Sequence, residues 1–134
     1  MHRIVRLAVS VALLVASLPS PIEAAPLPKH IGQCSITGIS NIGTRLFDPA
    51  HPHIRPNPEL GTSVDFVNGG HQVSYDLVKA IARSRIGDRV RVCLVSIPRH
   101  CPPGDTRGRF YRTLNLRTHR GWTLPDAQHL CGGA

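Results

Sequence analysis

Aromatic side chains are scarce: one Trp, two Tyr and three Phe serve 134 residues, 4% of the chain. Any core must be assembled from Val, Ile and Leu, and it will be thin for the length. Lysine is nearly absent, with only Lys29 and Lys79 beside fourteen Arg, so guanidinium groups carry the basic excess. The eight Asp and Glu residues stand singly, which leaves no carboxylate pair of the kind a glycosidase needs. HExxH, GxSxG, GxGxxG and phosphate-loop patterns are all missing, and the best-marked hydrolase and nucleotide-binding classes go with them. No apolar run approaches the ~20 residues of a membrane-spanning helix. The length accommodates one small domain, which disfavours multidomain enzymes, membrane bundles, coiled coils and wholly disordered chains.

What is present begins with an export signal. Arg3 and Arg6 precede the apolar run from Leu7 to Leu18, which Pro19, Ser20 and Pro21 end before Ile22-Glu23-Ala24-Ala25. This three-part layout predicts a secretory signal peptide over residues 1–24, cleaved after Ala24. Cleavage there puts Ile22 and Ala24, rather than Glu23, in the shallow peptidase pockets. Cys34 lies too far beyond the cut for lipidation. The mature chain would keep 14 basic and 7 acidic residues, a net charge of +7. Its expected home is the periplasm or the medium.

All four cysteines, Cys34, Cys93, Cys101 and Cys131, follow the leader, at separations of 59, 8 and 30 residues with no CxxC. An even number in a small exported domain predicts two disulfides, whereas zinc would want closer pairs. No metal and no cofactor are expected.

Residues 25–31 are proline-rich and read as an extended lead-in to a single domain over 32–134. Gln33 to Phe47 reads as a long strand bent at Gly38 and Gly43, followed by a proline-rich loop from Asp48 to Gly61. Val64 and Phe66, then Val73 and Tyr75, alternate with Ser63, Asp65, Gln72 and Ser74 around Asn68-Gly69-Gly70, which predicts a hairpin. Asp76 to Arg85 suits a short helix, capped by Ser74 and stopped at Gly87, with a twisted strand as the alternative. Arg89 to Ile97 reads as a central strand, Arg109 to Thr118 as the next, and Trp122 to Cys131, interrupted by Pro125, as an edge. In such a meander Cys101 and Cys131 meet at one end, which favours pairing Cys101 with Cys131 and Cys34 with Cys93. The fold expected is mostly β: a small disulfide-stapled barrel or roll with one short helix as an option.

Charge is concentrated in this meander. Residues 83–120 hold ten Arg against Asp88 and Asp105, whereas residues 25–82 are balanced. Arg89, Arg91, Arg109, Arg112 and Arg117 are the candidate anion-binding residues, because gathered guanidinium groups bind phosphate or carboxylate bidentately. A solvated polar face is the plain alternative. Envelope polyanions, lipid head groups or acidic polysaccharide, are the expected partners; specific nucleic-acid binding would need more exposed aromatics. His51 and His53 flank Pro52 but make only two potential ligands. An acid–base grouping for phosphoryl transfer would draw on His71, Asp76 and Arg109.

The stretches NGGHQVSYD, SRIGDRVRVCLVSIP, CPPGD, NLRT and LPDAQHLCGGA, spread over nearly all of residues 32–134, resemble small exported proteins of alphaproteobacteria. That group has no assigned activity, so the resemblance implies bacterial export and a shared fold and transfers no catalytic residue. The reading is of an exported, non-enzymatic binding or structural protein of the cell envelope, with the Arg-rich segment as its contact surface. A small secreted hydrolase of phosphate-bearing substrates is the alternative. A periplasmic lysozyme inhibitor is a third, which the +7 charge disfavours because lysozyme is itself basic.

Overall fold

A computed structural model describes residues 24–133. The strands are β1 (Cys34–Gly43), β2 (Thr62–Phe66), β3 (His71–Ser74), β4 (Arg89–Ser96), β5 (Phe110–Asn115) and β6 (Gly121–Pro125), and one helical turn, α1 (Lys79–Ala82), lies between β3 and β4. They form one antiparallel sheet in the order β3-β2-β1-β4-β5-β6, curled into a half-barrel. The leader expected over residues 1–24 lies outside the described residues except for Ala24.

Alternation decides which side of each strand is buried. On β4, Val90, Val92 and Leu94 are fully buried while Arg89 and Arg91 are exposed. On β5, Tyr111, Thr113 and Asn115 face inward and Arg112 outward. Ile39, Val64, Phe66, Ile81 and Trp122 complete the hydrophobic core. β1 serves two partners: Cys34 to Gly38 pair with β4, and Ile39 to Gly43 pair with β2. The irregularity lies between Ile39 and Asn41, at Ser40, rather than at the glycines. An extra residue there increases local twist and helps the sheet curl.

The lead-in is extended but well held. Ala25 N–H donates to Ile36 O and Gly32 N–H to Leu94 O, while Asn68 Nδ2 donates to Ala25 O. Pro28 is fully buried and Leu27 packs on the core. Gly61, at φ +70°, leads into β2, and a Cβ there would stand 2.8 Å from Tyr75 O. Only glycine fits that position.

The helical segment is much shorter than 76–85, and Ser74 does not cap it. No side chain caps it; Thr62, from β2, holds the entry instead, its Oγ1 accepting from Val78 N–H at 2.9 Å and donating to Asp76 O at 2.9 Å. Beyond Ala82 the chain turns away because Asp88 Oδ2 accepts from Arg85 N–H at 2.9 Å. β6 ends at Pro125, and residues 126–133 return along the 101–109 loop.

Two disulfides join Cys34 to Cys93 and Cys101 to Cys131. Cys34 and Cys93 sit opposite each other in the β1–β4 register. The other bridge ties the β4–β5 loop to the tail. With separations of 59 and 30 residues, each bridge stabilises by roughly 4 kcal/mol in the chain-entropy treatment. That is comparable with the net stability of a small domain.

The half-barrel closes on a polar side chain. Val64 pairs with Gln72, so Gln72 faces the core beside it and Val73, also buried, lies on the opposite face, the reverse of the alternation read from hydrophobicity. Gln72 is fully buried. Its Nε2 donates to Tyr111 O at 2.7 Å and Leu124 O at 3.1 Å, and its Oε1 accepts from Thr113 Oγ1 at 2.6 Å and Trp122 Nε1 at 2.9 Å. One amide thereby fastens edge strand β3 to β5 and β6 and uses its full bonding capacity. Gln72→Leu would leave these groups buried without partners, each at a cost of roughly 1–3 kcal/mol. The expected loss is about 4 kcal/mol or more, read from urea unfolding of the disulfide-bonded protein by Trp122 fluorescence; a loss below about 1 kcal/mol would show that closure does not depend on this amide.

Candidate functional site

The strand register sorts the five candidate arginines. Arg89 and Arg91 lie two residues apart on the outer face of β4, about 7 Å from one another by strand geometry. Arg112 lies on the outer face of β5, opposite Cys93, and is a diagonal neighbour of Arg91, which is opposite Leu114. Diagonal neighbours of this kind are about 7–8 Å apart. Among the described residues, none of these three guanidinium groups has a carboxylate within ion-pair distance. Arg91 and Arg112 border a shallow cavity of about 270 Å³ lined also by Leu114, Gly121, Trp122 and Thr123. Arg89 borders an apolar one of about 260 Å³ with Ile36, Gly38 and Val67.

Arg109 and Arg117 stand apart from these three. Arg109 shares the inward parity of Tyr111, and its Nε is buried without a partner, as is the Tyr111 hydroxyl. Burial pushes the Tyr111 hydroxyl above its ordinary range while Arg109 pulls against it. Arg117 is bound to Asp88 through Nε to Oδ1 at 2.6 Å and Nη2 to Oδ2 at 2.8 Å. Asn115 Nδ2 donates to the same carboxylate at 2.8 Å and to Ser84 Oγ at 2.9 Å. Outside the candidate set, Arg107 is engaged by Asp105 in its own loop. The meander's positive block is therefore partly structural.

A second grouping occupies the outer face at the β1–β2–β3 end, under residues 44–54. Asn41, Asp65 and His71 stand in one cross-strand row. His71 Nδ1 lies 2.6 Å from Asp65 Oδ1, and Asn41 Nδ2 donates to Asp65 Oδ2 at 3.1 Å. In the loop, His51 Nδ1 lies 2.8 Å from Asp48 Oδ2, and Ala50 N–H donates to Asp48 Oδ1 at 2.9 Å. The bond from His51 holds the Asp48 carboxyl below its ordinary range, with the Ala50 amide adding to it. Both His–Asp pairs and Arg45 line one cavity of about 240 Å³. The trio His71, Asp76 and Arg109 is not assembled: His71 is served by Asp65, and neither Asp76 nor Arg109 lines this cavity. The Asp65–His71 pairing depends on the β2–β3 register, which sets these two residues opposite each other, and the turn read over Asn68-Gly69-Gly70 did not supply it. His51 and His53 are divided between two cavities, and no cluster of three metal-binding side chains occurs among the described residues. None of the helices among the described residues is long and apolar enough to cross a membrane. The chain matches no protein family, curated protein or solved structure to which it was compared.

The Asp88 cluster gives the fold an acid sensitivity. The Arg117 guanidinium holds the Asp88 carboxyl well below the usual carboxylate range, with burial opposing and Asn115 assisting. A carboxyl depressed in the folded state stabilises the protein above its unfolded pKa of about 4, and that contribution is lost as pH falls further. Urea midpoints measured between pH 7 and pH 2 should fall steeply below pH 4. Asp88→Asn should start lower at pH 7 and fall less over the same interval; parallel profiles would remove Asp88 as the cause.

Proposed function

We propose that this is an exported protein of the bacterial cell envelope that binds polyanions, with phosphate or carboxylate groups held on the outer face of β4 and β5. The observation that carries the reading is the placement of Arg89, Arg91 and Arg112 as exposed neighbours with no carboxylate partner among the described residues. Like charges so close repel one another, and an external anion relieves that repulsion. A guanidinium fork suits either oxyanion bidentately. The two disulfides fit an oxidising compartment, and the resemblance to small exported alphaproteobacterial proteins points the same way.

Two measurements test this. The wild type should be retained on a sulfated-polysaccharide matrix and on vesicles containing anionic phospholipid, and salt should release it. Replacing Arg89, Arg91 and Arg112 together by Ser should shift release to clearly lower salt on at least one support; unchanged retention on both would end the proposal. Protein recovered after export should begin at Ala25 and show no alkylatable thiol in intact-mass analysis. Recovery with residues 1–24 attached and free thiols would remove the export reading.

A further inference from the structure

We infer that the cavity between β1, β2, β3 and the 44–54 segment is an acid–base site for hydrolysis of phosphodiesters, in which His71 and His51 move protons and Arg45 holds the anion. This is independent of the polyanion-binding face, since it shares no residue with it, and it sets aside the non-enzymatic expectation.

The two imidazoles are prepared in the same way. In each pair one carboxylate oxygen takes the imidazole Nδ1 and the other is held by an amide N–H, from the Asn41 side chain for Asp65 and from the Ala50 backbone for Asp48. A carboxylate at Nδ1 fixes the tautomer that leaves Nε2 to accept a proton. Both side chains are reachable, 41% and 67% exposed for His71 and His51. Neither pair fastens the loop to the sheet: one lies within β2 and β3 and the other within the loop. The fastening is done elsewhere, by Ser63 Oγ to Thr44 O. Exposed pairs of this kind add little stability, so a structural duty does not account for finding two on one cavity.

Arg45 is the third element. Its guanidinium lies 4.1 Å from the centroid of the Tyr75 ring, its Nη1 donates to Gln128 Oε1 at 3.2 Å, and its Nε is buried with no acceptor. It is a fixed cation, and because Nε is closed off an anion in the cavity would meet its Nη groups. The charges that face the site are Asp48, Asp65 and Arg45, which the proton that His51 must carry brings to zero. A doubly charged monoester would leave two uncompensated negative charges beside the Asp48 and Asp65 carboxylates, whereas a diester leaves one, beside Arg45. At about 240 Å³ the cavity is smaller than a drug-sized ligand requires, so it holds the phosphoryl group with its substituents directed outward past Phe47, which is 76% exposed.

In the step, His71 Nε2 takes a proton from water, and the water oxygen forms a bond to phosphorus. The bond from phosphorus to the leaving oxygen breaks, and that oxygen receives a proton from the protonated His51. The products are an alcohol or phenol and a phosphomonoester; proton exchange with solvent restores both imidazoles. His71 and His51 are catalytic residues, and Asp65 and Asp48 are positioning residues.

The test uses the disulfide-bonded mature protein with bis(p-nitrophenyl) phosphate and, for comparison, p-nitrophenyl phosphate. Release of p-nitrophenolate from the diester should exceed that from the monoester. His71→Ala and His51→Ala should each lower kcat/KM by about 100-fold. Asp65→Asn should lower kcat with KM nearly unchanged, as expected for a group that sets a tautomer, and His53→Ala should change neither. Unaltered Trp122 fluorescence would show that each variant is folded. Release no faster than in buffer, or release indifferent to both His71→Ala and His51→Ala, would overturn the assignment and leave the Arg89, Arg91 and Arg112 proposal untouched.

Discussion

The closure of the sheet rests on Gln72. An open six-stranded sheet leaves two edges, here β3 and β6, and each would otherwise carry unpaired backbone groups. A backbone ladder between them would complete a barrel, but the structure uses one buried amide with four hydrogen bonds. Because the amide is fully satisfied, its burial specifies one arrangement of β3 against β5 and β6. The lone Trp depends on it as well, since Trp122 Nε1 has Gln72 as its acceptor.

This explains how so little aromatic material supports the domain. The aliphatic core is small, and the inward faces of the strands also carry Thr37, Thr62, Thr113, Asn115 and Gln72. Each of these five finds a partner, which offsets the cost of burying it. The Asn115, Ser84, Asp88 and Arg117 cluster does at one end what Gln72 does at the seam, joining the α1 segment, the entry to β4 and the exit of β5. The disulfides add constraint where the hydrophobic contribution is thin.

The same register that orders the core arranges the two surfaces on which the proposals rest. Outward positions on β4 and β5 gather Arg89, Arg91 and Arg112, and outward positions on β1, β2 and β3 gather Asn41, Asp65 and His71. Curling separates the two groups along one convex face. A basic face that concentrates phosphate-bearing envelope material beside a phosphodiester-cleaving cavity would give the two proposals a common logic.

The β class, the meander, the hairpin about Asn68 and the pairing of Cys101 with Cys131 were legible from residue order, because alternation, turn chemistry and strand connectivity are local properties of the chain. So was the asymmetry of charge. What residue order could not reveal was the direction of Gln72: hydrophobicity turns a glutamine outward, and its inward position follows only from four acceptors and donors supplied by distant strands. For the same reason the arginines looked equivalent until the fold placed Asp88 against Arg117 and turned Arg109 inward, and His71 took Asp65 rather than Asp76 once β2 and β3 were in register. Local pattern governs whether a segment is extended; the partners a side chain meets depend on contacts between strands far apart in the chain, which periodicity does not encode.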